Sequence, residues 1–357
     1  MNERVGEQAG EQGGEQGGEH GPRHCLVTGA TGFLGSHVAR RLVAQGDDVR
    51  VLVRATSDRG RLHRLTLDYA EGDVTDAASV ERAMEGIELV FHCAAVVEFG
   101  PRDPSVLHAI NVGGTRHVLD AAVAHDASVV YVSSLAALGA TPAGEEPKDE
   151  SWWSEEPVVA VYEETKRDAH RYARALIQNG AKIRIALPGG IYGSGDQSTM
   201  YDLIRSFSRY PMLVGYMPEV RQSTVNVDDC ADALLLIADR GVDGDEYIVV
   251  SEAVTIRDWL VLIARGAHHR PPVVYLPTRT VRALGPPSGK VMARLGRSPT
   301  MVSETIAVAT RDSAYSGAKL RAMGWDPRPL DVGMNQMAAQ IQTAARERRR
   351  GRRAVKV

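Results

Sequence analysis

Between His24 and Pro188 the chain alternates short runs that are apolar at nearly every position with longer stretches of helical periodicity. The runs are CLVT (25–28), VRVLV (49–53), 65–70 followed by Gly72-Asp73-Val74, LVFHCAA (89–95), SVVYVSS (128–134) and IRIAL (183–187). Residues 33–46, 76–86, 104–125 and 162–179 read as helices, with Gly46 and Gly180 closing the first and last. A strand with one wet face alternates polar and apolar side chains; a strand that does not alternate is covered on both faces. Such strands between helices dictate a parallel sheet with helices on either side, and right-handed crossovers make it doubly wound. After about residue 195 the rhythm loosens: YIVV (247–250) reads as a strand, 256–267 and 331–345 as helices, and 266–300, rich in Pro, Gly and Arg, has no clear period. The expected class is α/β, a doubly wound parallel sheet over 24–195 with a smaller, partly intercalated C-terminal substrate lobe over 196–345.

With 43% apolar residues in 357, the chain can bury a large core. A net charge of −3 argues against nucleic acid as a partner. Cys25, Cys93 and Cys230 lie far apart without metal-ligand spacing, and two of them sit in strand runs. They are expected to be reduced thiols, pointing to the cytoplasm, with no metal. No run approaches membrane-spanning length and no signal peptide is readable, so no membrane partner is expected. Residues 1–23 repeat Gly, Glu and Gln and are expected to be disordered. The closing Arg-rich segment, 346–357, reads as a solvated helix end rather than an RNA or membrane patch, since no aromatic is interleaved with its arginines.

Thr28-Gly29-Ala30-Thr31-Gly32-Phe33-Leu34-Gly35 joins the first strand to the first helix. In that context Gly29 allows a tight turn, Gly32 lets backbone approach a diphosphate, and Gly35 permits close packing of helix on strand. The helix N-terminus then offers free N–H groups to phosphate; a Gly-rich turn without ligand is the plainer alternative. The second strand ends in Arg54, where an acidic residue would bind the ribose hydroxyls of NAD. A guanidinium there suits a 2′-phosphate, with Ser57, Arg59 and Arg61 to assist. NADP is therefore the expected cofactor and NAD the alternative. Asp73-Val74 is placed to meet the adenine edge, while a helix cap near Asp76 competes for that loop.

Tyr162 and Lys166 stand four residues apart, one turn along a single helix face. A phenol is a poor acid near neutrality, and a neighbouring ammonium together with an oxidised pyridine ring is expected to lower its pKa. Tyr162 would then pass a proton to or from a carbonyl oxygen, which Ser134 at the end of the fifth strand would also bind. An exposed tyrosine and a surface lysine are the alternative.

These segments resemble the extended short-chain dehydrogenase/reductases, in the branch containing dihydroflavonol reductase-like and 3β-hydroxysteroid dehydrogenase-like proteins. The matching stretches are TGATGFLGSHVARRL, VRVLVRATSDRGRL, EGDVTD, LVFHCAAVVEFGPRDP, INVGGTRHVLDAA, VVYVSSLAALG, VYEETKRDAH, PGGIYGSGD, STVNVDDCADALLL and AKLRAMGWDPRPL, in the family's order across about 24–345. The resemblance implies a Rossmann fold and a catalytic Ser134, Tyr162 and Lys166. It implies that Gly29, Gly32 and Gly35 hold the diphosphate with backbone from Thr31, Phe33 and Leu34. It sets Ala94-Ala95 under the adenosine ribose, Asn111 in the polar support behind the site, and Pro188 with Ile191 against the carboxamide. Asp228-Asp229 would brace the lobe as a helix cap rather than a metal pair. A homodimer through 104–125 and 162–179 is also implied. Leu187 and Asn226 depart from the family's commoner Arg and His or Tyr. Leu135-Ala136 stands where sugar 4,6-dehydratases carry an acidic pair, which disfavours dehydration.

The substrate pocket is expected between Val96–Arg102, 135–160 and segments after 193, with Phe99, Trp152, Trp153 and Tyr192 as candidate walls and Ser134 at its base. The function expected is NADPH-dependent reduction of a carbonyl on a fairly hydrophobic small metabolite. An NAD-retaining nucleotide-sugar epimerase and a non-catalytic redox-sensing binding protein are the alternatives.

Overall fold

A computed structural model describes residues 21–285 and 299–354. Six strands of the first half are β1 (His24–Thr28), β2 (Asp48–Val53), β3 (Asp68–Glu71), β4 (Leu89–His92), β5 (Ser128–Val132) and β6 (Ile183–Pro188). The later ones are β7 (Gly190–Tyr192), β8 (Val214–Tyr216), β9 (Arg221–Asn226), β10 (Glu246–Val249), β11 (Glu252–Thr255) and β12 (Val274–Leu276). Seven form one parallel sheet in the order β10-β6-β5-β4-β1-β2-β3. The order reverses direction between β1 and β4, where Thr28 pairs with His92, and that crevice at the strand ends is where a doubly wound sheet binds ligands.

The unbroken apolar runs have the expected cause. Cys25 and Val27 point into one buried cluster while Leu26 points into another, and the same split places Phe91 on one side and Val90 on the other. Helices Phe33–Gln45 and Val227–Arg240 cover the first face, and Ala77–Met84, Thr115–Ala124 and Val161–Gln178 the second. The helix predicted over 104–125 is interrupted: Pro104–Leu107 and Thr115–Ala124 are α-helical, but His108–Gly114 is a π segment. Wide turns of that kind collect at functional sites, and this one carries Asn111.

The second half threads through the first. β10 completes the main sheet, while β11-β9-β7 and β12-β8 form separate small sheets. A third apolar cluster, built around Trp259, Leu260, Ile263 and Met334, lies under them. Of the tail predicted over 1–23, residues 1–20 lie outside the described part, while Arg23 is anchored to Asp47 at 2.9 Å and Asp239 at 2.6 Å. At the other end the helix Leu330–Ala354 runs on through most of the Arg-rich segment. No helix among the described residues is long and apolar enough to cross a membrane.

Candidate active site

A cleft of about 1420 Å3 opens along the carboxyl ends of β1, β2, β4, β5 and β6. Its construction begins with the Gly29–Gly35 turn. Gly29 has φ +69°, and a Cβ there would lie 2.8 Å from the Ala94 backbone. Gly32 N donates to Gly29 O at 2.9 Å to close the turn, and a Cβ on Gly35 would sit 2.4 Å from that same oxygen. No side chain caps the helix Phe33–Gln45 at Gly32. Its first N–H groups therefore face the cleft without a protein acceptor, as a diphosphate requires. The residues present fit a dinucleotide.

Thr28 fastens the neighbouring loop. Its hydroxyl meets His92 Nδ1 at 2.7 Å and accepts from Ala94 N at 3.3 Å. At the adenosine end Arg54, Ser57, Arg61, Asp73 and Val74 line the cleft. Ser57 Oγ accepts from Arg54 N at 3.2 Å and leaves the Arg54 side chain exposed. Arg61 donates to Gly195 O at 2.6 Å across the crevice. Asp73 accepts from Thr75 N and Oγ1, and the helix-capping role falls to Asp76, which accepts from Ala78 N at 3.1 Å. Asn111 accepts from Val96 N at 2.8 Å and donates to Val96 O and Thr165 Oγ1, tying the loop after β4 to the helix Val161–Gln178.

Ser134, Tyr162 and Lys166 all line this one cleft, together with Ala94, Ala95, Pro188 and Ile191. Ser134 caps a short helix, accepting from Ala136 N at 3.1 Å. Lys166 is buried and donates to Val132 O at 3.0 Å, with the Tyr131 ring 5.3 Å away. The electrostatics differ from the expectation. Burial pushes the Tyr162 phenol above its ordinary value, opposed by the Ser134 hydroxyl. Burial also pushes the Lys166 ammonium down to about 8. The polypeptide alone does not acidify the phenol, because desolvation outweighs the hydrogen bond from the Ser134 hydroxyl. A phenol held protonated in this way is suited to give a proton to a carbonyl oxygen.

Of the four predicted walls, Phe99 lines the cleft, edge-on to Tyr162 with ring centres 6.1 Å apart. The other three do not. Tyr192 is fully buried in the third apolar cluster, so close to Gly333 that a Cβ there would lie 2.1 Å from the phenol oxygen. Trp152 donates to Ala140 O at 3.2 Å and packs on the second cluster. Trp153 lies under the guanidinium groups of Arg167, Arg171 and Arg174 and beside His170. Both tryptophans are taken up by packing and cation–π contact. The wall is instead the helix Pro299–Ala309, through Met301, Val302, Thr305, Ile306 and Val308, with Met200 and Gln222. Beyond it Arg311 is paired with Glu163, which also accepts from Val159 N. The apolar richness of 301–308 was the available signal, hidden by the unpatterned stretch before it.

Asp228 and Asp229 act as braces. Asp228 meets His37 at 2.9 Å and Arg41 at 3.2 Å, Asp229 meets Arg328 at 2.8 Å, and Asn226 caps their helix. Among the described residues no cluster could hold a metal ion.

The family model described as NAD dependent epimerase/dehydratase matches residues 25–250. Sterol demethylase protein B of Methylococcus capsulatus is 32% identical over 264 residues, covering 72% of this chain and 79% of that one. A 4-hydroxy-2-methyl-3-oxo-4-farnesyl-3,4-dihydroquinoline-1-oxide ketoreductase of Stigmatella aurantiaca is 28% identical over 322 residues, covering 84% and 94%. The crystal structure of gox2253 superimposes with a TM-score of 0.78 at 31% identity, covering 90% of this chain and 98% of that one. With this sheet order, Gly turn and cleft, the chain belongs to the NAD-dependent epimerase/dehydratase family of extended short-chain dehydrogenase/reductases and is an NAD(P)-dependent oxidoreductase.

Proposed function

We propose that the protein reduces a carbonyl on an apolar small metabolite at the expense of NADPH, with Tyr162 as the proton donor. The observation that carries this reading is the composition of one cleft: a protonated phenol beside Ser134, and a far end walled by Phe99, Met301, Val302, Ile306 and Val308. A bound nicotinamide dinucleotide would supply the hydride. The Gly29–Gly35 turn would hold its diphosphate, and Pro188 with Ile191 would border its nicotinamide end. Ser134 would bind the carbonyl oxygen, Tyr162 would protonate it, and Lys166 would hold the ribose and stabilise the charge left on the phenol oxygen. NADP is favoured over NAD because Arg54, directly after β2, is exposed beside Ser57 with Arg61 near, at the position where an acidic residue would repel a 2′-phosphate. The substrates named for the sterol and farnesyl-quinoline relatives support an apolar molecule.

The test is turnover of NADPH and NADH against a panel of apolar ketones, with Tyr162→Phe alongside. Reduction with NADPH preferred, and a variant slower by about 10²–10⁴-fold, is the expected result; equal rates in the two proteins remove Tyr162 as the acid. Nucleotide-sugar epimerisation is the second reading, favoured by the matched family's description. Copurified NAD and conversion of UDP-sugars without net NADPH consumption would replace the first reading with it. Dinucleotide binding with no turnover at all would leave the redox-sensing alternative. A cytoplasmic setting fits three free thiols of which burial pushes Cys25 and Cys93 up to about 12. The segments 104–125 and 162–179 remain the proposed homodimer contact, testable by light scattering.

A further inference from the structure

Among the described residues, the small sheet formed by β8 and β12 has one face that is covered only at Tyr216, which is half-buried. Val214 pairs with Val274 and Tyr216 with Leu276. Between them Tyr275 turns inward, against Gly215 and under Arg257 at 4.5 Å. Alternation along the strands therefore turns Val214, Val274 and Leu276 outward, and all three are exposed. Leu213 and Val273, at the strand entries, are 77% and 85% exposed. Apolar residues gathered on one exposed face mark an interaction site.

The charge around this face is predominantly basic, although Asp202 pairs with Arg205 at 2.9 Å and Glu219 accepts from Thr278 N at 3.2 Å at its edge. The two stretches that build it, 203–218 and 265–285, contain six arginines and no aspartate or glutamate, in a protein whose net charge is −3. Arg209, Arg270 and Arg279 are exposed beside the apolar residues. The face also adjoins the cleft. From Thr278 to Gly285 the chain is helical, with Leu284 exposed, and Arg282 donates to Thr310 O at 2.7 Å. A Cβ on Gly285 would lie 3.2 Å from Ile306, a residue of the cleft wall.

We propose that this face docks on an anionic lipid bilayer, seating Val214, Val274, Leu276 and Leu284 among the acyl chains, with the strand-entry residues Leu213 and Val273 at their margin and the arginines among the headgroups. No spanning helix is needed for such binding; apolar side chains and a basic rim are. Docking there would turn the Pro299–Ala309 side of the cleft toward the membrane, a source of apolar molecules. The inference stands apart from the reductase reading, since binding to vesicles needs no turnover.

Flotation of the full-length protein with phosphatidylcholine vesicles, with and without phosphatidylglycerol, tests it. Binding is expected only with phosphatidylglycerol, and lost in half-molar salt. Each of Arg209→Gln, Arg270→Gln and Arg279→Gln should weaken it by about fivefold. The combination Leu213→Ser, Val273→Ser and Val274→Ser should weaken it by at least about tenfold, with thermal melts unchanged because these residues are exposed. Failure to float with phosphatidylglycerol at low salt overturns the proposal. So does binding that survives both sets of substitutions, which would belong to the Arg-rich C-terminus. Self-association of vesicle-free protein that the serine variant abolishes, without vesicle binding, would assign the face to a second copy instead.

Discussion

At the dinucleotide end of the cleft, the ends of neighbouring strands supply backbone and glycine; at the substrate end, side chains arrive from positions as distant as Phe99, Met200, Gln222 and Ile306. The diphosphate part of the first end is built within one strand–turn–helix unit whose close main-chain approaches require glycine. The Gly29 turn cannot carry a Cβ against the Ala94 backbone, and Gly35 cannot carry one against Gly29 O. The second end is assembled from four separate stretches; Gly100, at φ +56° with a Cβ that would lie 2.1 Å from Met301 N, sets how closely the wall helix approaches, but the side chains that line the wall carry no such requirement themselves. Any apolar residue of suitable size would line it. The difference teaches that cofactor binding is held by shape in the main chain and substrate choice by side chains that can be exchanged.

The sharpest way to break that comparison is Gly35→Val. Overpacking against main chain has no flexible neighbour to yield, so a loss of at least about 3 kcal/mol and failure to bind dinucleotide are expected. Thermal unfolding together with a cofactor fluorescence titration measures both. A variant that binds NADPH normally would show that the turn can relax and that shape is not what holds this end.

Arg54→Glu comes next. The guanidinium is exposed, so the fold should not change, but a carboxylate would repel a 2′-phosphate and suit free ribose hydroxyls. The ratio of NADPH to NADH in kcat/KM should fall by about 10–100-fold, the worth of a charge-assisted hydrogen bond. An unchanged ratio would transfer the selectivity to Arg61. At the other end Ile306→Ala removes wall without touching the turn. We expect KM for an apolar ketone to rise by about tenfold while affinity for the dinucleotide stays constant; movement of both would mean the two ends are not independent.

The same contrast explains what could be read in advance. Strands buried on both faces, the Gly turn, Arg54 and the Tyr162–Lys166 spacing were readable because each rule is local: a period, a turn, a helix face. Ser133-Ser134 at the end of β5 was readable for the same reason. The substrate wall was not, since Met301 and Ile306 reach the cleft only through tertiary packing beyond a stretch with no period. The tryptophans misled for a related cause. Aromatic composition says that Trp152 and Trp153 are large and apolar, but only the fold shows that three arginines of the helix Val161–Gln178 already cover Trp153. Nor does spacing reveal desolvation: four residues between phenol and amine suggested an acidified tyrosine, whereas burial of both groups governs their protonation.

His92 sharpens the comparison from beneath the dinucleotide end. Its ring is buried between Thr28 Oγ1 at 2.7 Å and Thr115 Oγ1 at 3.0 Å. Burial first, and the Lys166 charge second, push it down to about 3 from an ordinary 6.5. Above pH 6.5 the imidazole is neutral in both the folded and unfolded chain, and its hydrogen bonds contribute fully. Below 6.5 the unfolded chain takes up a proton that the folded one refuses, so stability declines as pH falls toward 3. His92→Gln keeps a polar group in place without a titrating one. At neutral pH it should cost only about 1 kcal/mol, while its acid limb should be shallower than that of the parent. Melting at intervals across that window decides the matter: parallel acid limbs would mean that His92 is not the buried base. Because the ring holds Thr28, and through it the Ala94 loop, acid acting through His92 should loosen the dinucleotide end of the cleft first.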